Sequence, residues 1–208
     1  MDSAAELHRD HDVTDVPWIV RGAVLLGLFE AVVVLLVSFA SRFLSGPIET
    51  VALAILLLVG LAPVTLLPGI WTRARTIEGI AGAAGIGLGA TVMFLLLDVV
   101  LLQHIGTYTN RWYQIGGSNW WYHPIWWMAG TFLPWLGAWI LANQAERSGR
   151  ISAPAAFATA VGFAVAVAVV AILVGFPGAG WNVPTFGVAF LPGLALATAL
   201  SGLGTRRS

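Results

Sequence analysis

Long apolar runs alternate with short polar segments along the chain, and the runs lack the every-second-residue alternation of a half-buried strand. A helix needs about 20 apolar residues to cross the ~30 Å hydrocarbon core of a bilayer. Only helices and closed barrels satisfy their own backbone there, and continuous apolar runs favour helices. The pattern predicts an all-α, polytopic transmembrane helical bundle with six spans, at residues 18–43, 48–71, 77–103, 124–143, 154–176 and 185–203.

The polar segments between these runs are too short to separate domains. We expect one six-helix transmembrane domain over residues 17–204, preceded by a polar acidic tail at 1–16 and followed by a basic end at 205–208. The longest connection between spans is an aromatic loop at 104–123. Pro192 interrupts the last apolar run and predicts a sixth helix that is kinked or partly re-entrant.

Arginine supplies all ten basic residues, and it is unevenly distributed between the two sides of the predicted bundle. The two tails, the second and fourth loops and the start of the first span carry eight of the ten. The opposite side carries Arg42 and Arg111. Because cytoplasmic loops are enriched in Lys and Arg, this bias predicts that both termini lie in the cytoplasm. The exclusive use of arginine and the abundance of alanine suggest a prokaryotic source, and hence a multi-pass protein of the plasma (inner) membrane.

Composition narrows the class of protein further. Hydrophobic residues make up 58% of the 208 residues and charged residues 10%, well below the ~25% charged fraction typical of soluble domains. The mean hydropathy of +0.86 excludes a soluble enzyme, and the zero net charge argues against a nucleic-acid partner. Without cysteine, and without a nucleotide-binding or hydrolase motif, the chain is less typical of an enzyme, and its motifs specify no cofactor.

Small residues recur every four positions in the third span and form two stripes, Ala81, Gly85 and Gly89 and then Ala83, Gly87 and Thr91. The hydrophobic drive between helices is weak in lipid, so small residues mark places where helices approach closely. The stripes predict tight packing within this chain. Self-association through the same faces, or contact with other membrane subunits, is the alternative.

Two carboxyl side chains, Glu30 and Asp98, fall inside predicted spans, where an ionisable group costs about 2.5–3.5 kcal/mol on insertion scales. A buried carboxyl without a partner favours its neutral form, and one that changes protonation suits a proton-coupled carrier. Both residues are therefore proton-carrying candidates. The alternative is a carboxylic acid hydrogen-bonded to a neighbouring helix. Asp98 shares one helical face with Gly87, Thr91 and Phe94.

Two histidines stand at the ends of the aromatic loop. His104 ends the third span and His123 begins the fourth at a similar predicted depth, so both can converge with Asp98 near the outer interface. Histidine and carboxylate ligands suit copper, iron or zinc, and two histidines at one depth also suit a haem or a chlorophyll-type pigment. The alternative is a pair of interfacial histidines hydrogen-bonded to loop backbone.

Aromatic residues crowd the same loop and the start of the fourth span. Tryptophan anchors helices at the headgroup level, and it is also enriched in contact hot spots and flat-ligand sites. The crowding predicts a docking surface for another subunit, a quinone, a pigment or a lipid, and an anchoring belt is the alternative. The candidate binding residues are Trp112, Trp120, Trp121, Tyr122, Trp126 and Trp127.

Three hypotheses for the function follow. The first is a non-catalytic subunit or binding module of a membrane complex that docks a partner or flat ligand through the tryptophan-rich loop. The second is a proton-coupled small-solute carrier or channel that uses Glu30 and Asp98. The third is a membrane metal or redox-cofactor protein that uses His104, His123 and Asp98.

Overall fold

The computed structural model describes residues 12–109 and 122–203, with only the backbone described at 122–126 and 128. All six long regular elements in this part of the chain are α-helices, and the described residues contain no strand, which confirms the all-α prediction for them. The helices are α1 (Val16–Phe43), α2 (Gly46–Trp71), α3 (Ile77–Leu97), α4 (Tyr122–Ser148), α5 (Ala153–Leu173) and α6 (Val183–Gly202).

Five helices in the described residues are long and apolar enough to cross a membrane: α1, α2, α3 with its extension, α5 and α6. These helices indicate a multi-pass membrane protein. Helix α4 has 27 residues and sufficient length, but it is not one of those five. The sixth span and the orientation of the termini therefore stay predictions.

Three helices begin with a polar cap followed by proline within the first turn. The side chains of Asp15, Ser152 and Asn182 each accept a hydrogen bond from a backbone N–H three residues further on, at 3.1, 3.4 and 2.9 Å. Such a cap satisfies a backbone donor that has no partner within the helix, and proline costs nothing in the first turn. These signals set the starts of α1, α5 and α6.

Helix α6 continues through Pro192 as one helix of 20 residues. A continuous helix of this length is long and apolar enough to cross a membrane, which favours a complete span over a partly re-entrant one, and the kink stays a prediction. A proline removes one backbone hydrogen bond, and packing supplied by a neighbouring helix offsets this loss. Here the backbone of Gly193, the next residue, lies directly against Ala164 of α5.

The four helices α1 to α4 form the centre of the bundle, with α1 along α3, α3 along α4 and α4 along α2. The hairpin of α5 and α6 packs on this unit chiefly through α6 against α4. Within the centre, Ala83, Gly87 and Thr91 are buried, and Gly87 lies against the Gly130 carbonyl oxygen of α4. The packing that this stripe predicts is confirmed, whereas Ala81 of the other stripe is exposed.

A close crossing joins α4 to α2. Gly137 lies so near the backbone carbonyl oxygen of Thr65 that a Cβ atom has no room between them. One turn of α2 further on, Gly69 lies against Ala138 of α4 in the same way. Since van der Waals packing replaces the hydrophobic effect in lipid, these contacts hold the two helices together.

We expect Gly137→Ala to lower the free energy of unfolding by about 1–3 kcal/mol, because the added methyl group overlaps the Thr65 carbonyl. Gly162→Ala is the matched control, since Gly162 lies in a helix and nothing stands within 4 Å of its added Cβ. Denaturant titration of both variants in one mild detergent measures the difference. Equal stability of the two variants would contradict the close crossing.

Candidate functional site

A cavity of about 340 Å³ lies between α1, α2, α4 and α6. Its lining on α1 extends from Phe29 to Val37, and its lining on α6 starts at Val183, in the first turn. These positions place it in the half of the bundle that carries the α1–α2 turn and the α5–α6 connection. This half is the predicted extracytoplasmic half.

Small residues leave this space open. Three of the lining positions carry at most a methyl group, Gly60 of α2, Ala129 of α4 and Gly187 of α6. Gly130 of α4 also lines the cavity, but its small size serves the close contact with Thr91 of α3. The remaining lining is leucine, valine, phenylalanine and proline, apart from one acidic residue. The cavity is therefore an apolar chamber with a single charged group in its wall.

Glu30 is that acidic residue, and it stands at the midpoint of α1. Its side chain is only 3% exposed, and its Oε2 atom is buried without a hydrogen-bond partner among the described residues. Every other residue that lines the cavity is apolar and offers no side-chain donor. Two roles are predicted for Glu30, a proton-carrying carboxyl and a carboxylic acid hydrogen-bonded to a neighbouring helix. The described contacts do not fit the second role.

Asp98 is fully buried, as are Thr91 and Phe94 of the same helical face, so the predicted face is confirmed. A π-helical turn, Asp98–Leu102, extends α3 beyond Leu97. In this turn the N–H of Gln103 donates to the carbonyl oxygen of Asp98 at 3.0 Å, five residues back. Turns of this kind are frequent at functional sites.

Two side chains donate hydrogen bonds to the Asp98 carboxylate. They are the Tyr108 hydroxyl, to Oδ1, and the Gln103 amide nitrogen, to Oδ2 at 2.7 Å. The Asp98 carboxylate is thus hydrogen-bonded, as the alternative expected, but by side chains just beyond its own helix and not by a neighbouring helix. Its proton-carrying role stays a prediction. Sequence analysis did not identify Gln103 or Tyr108 as partners, because the π-helical turn that brings them back to Asp98 leaves no pattern in the chain.

The segment after this turn is tied to the end of α1. The Ser38 hydroxyl donates to the carbonyl oxygen of Thr107 at 2.5 Å, and the Arg42 guanidinium donates to the carbonyl oxygen of Gly106 at 2.5 Å. Val34 of α1 packs in the same apolar cluster as Leu102 and Tyr108. The Asp98 cluster, comprising Asp98, Gln103 and Tyr108, thus lies at the same end of the bundle as the Glu30 cavity.

His104 is exposed, and the Asp98 carboxylate accepts hydrogen bonds from Tyr108 and Gln103. The side chain of His123 lies outside the described residues. In the described parts of the chain, no three His, Cys, Asp or Glu side chains come together to hold a metal ion. The metal, haem or pigment site therefore stays a prediction that depends on His123.

Most of the predicted aromatic docking surface also lies outside the described residues. This is true of Trp112, Trp120 and Trp121, and of the side chains of Tyr122 and Trp126. Trp127 is described, in the second turn of α4, with 40% of its surface exposed. Docking through this surface stays a prediction.

At the opposite end of the bundle, hydrogen bonds hold the segment before α1 on the α2–α3 connection. Sequence analysis did not predict this contact. The Asp12 carboxylate accepts hydrogen bonds from the backbone N–H groups of Arg75, Thr76 and Gly79, at 2.9–3.0 Å. Asp12 is one of several acidic residues in a polar segment, so the sequence does not distinguish it from the acidic residues around it. Asp12, near the end of the predicted polar acidic tail, is therefore packed on the α2–α3 connection.

Comparison with known proteins identifies no relative of this chain. No family model matches it, and no curated protein or solved structure does either. The Glu30 cavity and the Asp98 cluster therefore carry the functional argument.

We expect Tyr108→Phe to lower the free energy of unfolding by about 1–3 kcal/mol, because it removes a donor from a buried carboxylate. If that hydrogen bond is the cause, Tyr108→Phe combined with Asp98→Asn should cost less than the sum of the two single changes. Denaturant titration of the four proteins measures this coupling. Strict additivity would show that the contact contributes nothing.

Proposed function

We propose that this chain is an integral membrane protein that binds a small lipophilic molecule in the Glu30 cavity and carries out no catalysis of its own. This gives the binding-module hypothesis a specific site. At about 340 Å³, the cavity falls at the lower end of the ~300–1,000 Å³ range of ligand pockets. Its apolar lining suits a molecule that partitions into membranes.

The observation that carries this proposal is the unsatisfied carboxyl of Glu30. Buried polar groups are nearly always hydrogen-bonded, and an acidic residue in mid-membrane carries an insertion cost of about 2.5–3.5 kcal/mol. Glu30 bears this cost without a donor among the described residues, and it faces a space large enough for a ligand. A bound molecule would supply the missing partner.

The proposal includes the predicted membrane setting. Six spans, with both termini in the cytoplasm of a plasma-membrane protein, would place the Glu30 cavity in the outer leaflet, beneath the tryptophan-rich loop at 104–123. We propose that this loop, together with the exposed face of Trp127, docks a further membrane subunit or a second copy of the chain. The uneven distribution of arginine supports this orientation.

Filling the cavity should abolish binding. Gly187→Leu projects a side chain into it, and the new Cβ would meet Leu57 at an ordinary 3.7–4.0 Å, so we expect the fold to tolerate the change. Binding is measured in lipid nanodiscs with three probes that share a phenylpropyl body and differ in the charge of the head group. They are 3-phenylpropyltrimethylammonium, its uncharged carbon isostere (4,4-dimethylpentyl)benzene, and 4-phenylbutyrate.

We expect at least one probe to bind the natural sequence, and to bind Gly187→Leu at least tenfold more weakly. Gly162→Leu is the matched control, because it places the same side chain on α5 where nothing stands within 4 Å of the Cβ. Empty nanodiscs correct for partition into lipid. Absence of binding by all three probes, or equal binding by the two variants, would sink the proposed function.

A proton-coupled carrier is the second candidate, and the unpartnered position of Glu30 inside a cavity favours it. If it is correct, an imposed pH gradient should drive uptake of a bound probe into proteoliposomes. Glu30→Gln should abolish this gradient-driven uptake, and Asp98→Asn should reduce it. Glu146→Gln, a change of the same kind at an exposed position, serves as the control. Undiminished uptake in both Glu30→Gln and Asp98→Asn would remove this candidate.

A further inference from the structure

We infer that the molecule bound in the Glu30 cavity is a small organic monocation, a lipophilic amine or quaternary ammonium, which replaces a proton on the Glu30 carboxylate. This inference rests on the proposed binding function and specifies its ligand class. Three features of the described residues carry it: the charge inventory of the wall, the presence of the aromatic residue Phe29 in the same lining and the apolarity of the remaining lining.

The wall contains no positive charge to balance Glu30. Among the seventeen lining residues, Glu30 is the only one that titrates, and the contributions of α2, α4 and α6 are entirely uncharged. The nearest arginine on its own helix, Arg21, is exposed, with its guanidinium carbon 6.0 Å from the ring centroid of Trp18. Among the described residues no positive charge is placed to pair with Glu30, so in this proposal the charge comes from a ligand or a proton.

The other buried carboxyls of the central helices do not line this chamber. On α3, Asp98 is engaged by Tyr108 and Gln103. On α2, Glu49 lies in the first turn and is absent from the lining. Glu30 is thus the single charge that a molecule in the cavity would meet. An anion would bring a negative charge into a cavity whose described wall has no cationic group to balance it, so the charge inventory disfavours fatty acids and phosphate esters relative to a cation.

The aromatic ring of Phe29 lines the same cavity as Glu30. The face of such a ring attracts an ammonium group, and this attraction is strongest where water is excluded. A neutral ligand would gain no more from a carboxyl group than from an amide of the same size. A cation gains both an ion pair and a ring contact, while its apolar body fills the remaining space.

Charge balance determines what happens to the proton on Glu30 when the cation binds. An isolated carboxylate in an apolar cavity is far costlier than the neutral acid, so a proton occupies Glu30 when no ligand is bound. When an ammonium ion binds, the O–H bond of the acid breaks, the electron pair stays on the carboxylate and the proton passes to the aqueous phase. The cavity keeps zero net charge in both states, and each cation bound releases one proton.

The three probes test this ligand class. We expect 3-phenylpropyltrimethylammonium to bind at least tenfold more tightly than its uncharged isostere, and 4-phenylbutyrate not to bind. Glu30→Gln should weaken binding of the ammonium probe at least tenfold and leave the affinity for the isostere within about threefold. The reason is that removing one charge of a buried ion pair removes most of the affinity that the pair provides. Glu146→Gln should leave both affinities unchanged.

Proton release gives a second readout that needs no variant. Calorimetric titration of the natural sequence with the ammonium probe, in buffers of different ionisation enthalpy, should report release of about one proton per cation bound. If Glu30→Gln folds, the same measurement on it should report none. The probe carries a permanent charge, so the released proton can come only from the protein.

The outcomes separate this inference from the proposed function. Equal binding of the ammonium probe and its isostere, both weakened by Gly187→Leu but not by Glu30→Gln, would overturn the cation class and leave the binding site standing. Tight ammonium binding without proton release would also overturn the exchange. Failure of all three probes would instead remove the proposed function itself.

Discussion

Hydrocarbon offers no hydrogen-bond partner to a polar side chain, and the position of each buried carboxyl in this bundle follows from that constraint. Asp98 meets the constraint locally, because the π-helical turn and the segment after it bring Gln103 and Tyr108 to its two oxygens. The Oε2 atom of Glu30 has no partner among the described residues, since every other residue that lines its cavity is apolar. In the sequence, Glu30 and Asp98 are equal candidates for a proton-carrying role. The structure places them in different environments.

Packing is unevenly distributed along the bundle. In the half that contains the α2–α3 connection, Gly137 and Gly69 bring α4 into backbone contact with α2, and Asp12 fastens the segment before α1 to that connection. The Glu30 cavity lies in the other half, and so does a second space of about 470 Å³ between α2, α5 and α6. Glycine has opposite effects in the two halves: at Gly137 it permits contact, whereas at Gly187 it leaves a gap.

Hydropathy predicted the helices because the lipid requirement acts on every residue of a span. The predicted segment 185–203, for example, differs from Val183–Gly202 by two residues at its start and one at its end. The same reasoning identified Glu30 and Asp98, since an ionisable residue in a span is visible by type alone. It did not predict the partners of Asp98, because a single turn with five-residue spacing has no compositional signature. Nor did it predict the cavity, which depends on how four helices pack and not on a pattern within any one of them.

The difference in packing between the two halves of the bundle also explains the position of the Glu30 carboxyl. Had Glu30 faced the tightly packed half, close backbone contacts of the kind seen at Gly137 would leave no room for a partner other than a protein donor. At the midpoint of α1, it meets instead the inner end of a cavity whose lining continues to Val183, in the first turn of α6. A molecule with an apolar body and a charged head can therefore lie along the cavity with its head at Glu30. Its body then follows the apolar wall toward the end of the bundle, so the polar contact and the apolar contacts reinforce one another.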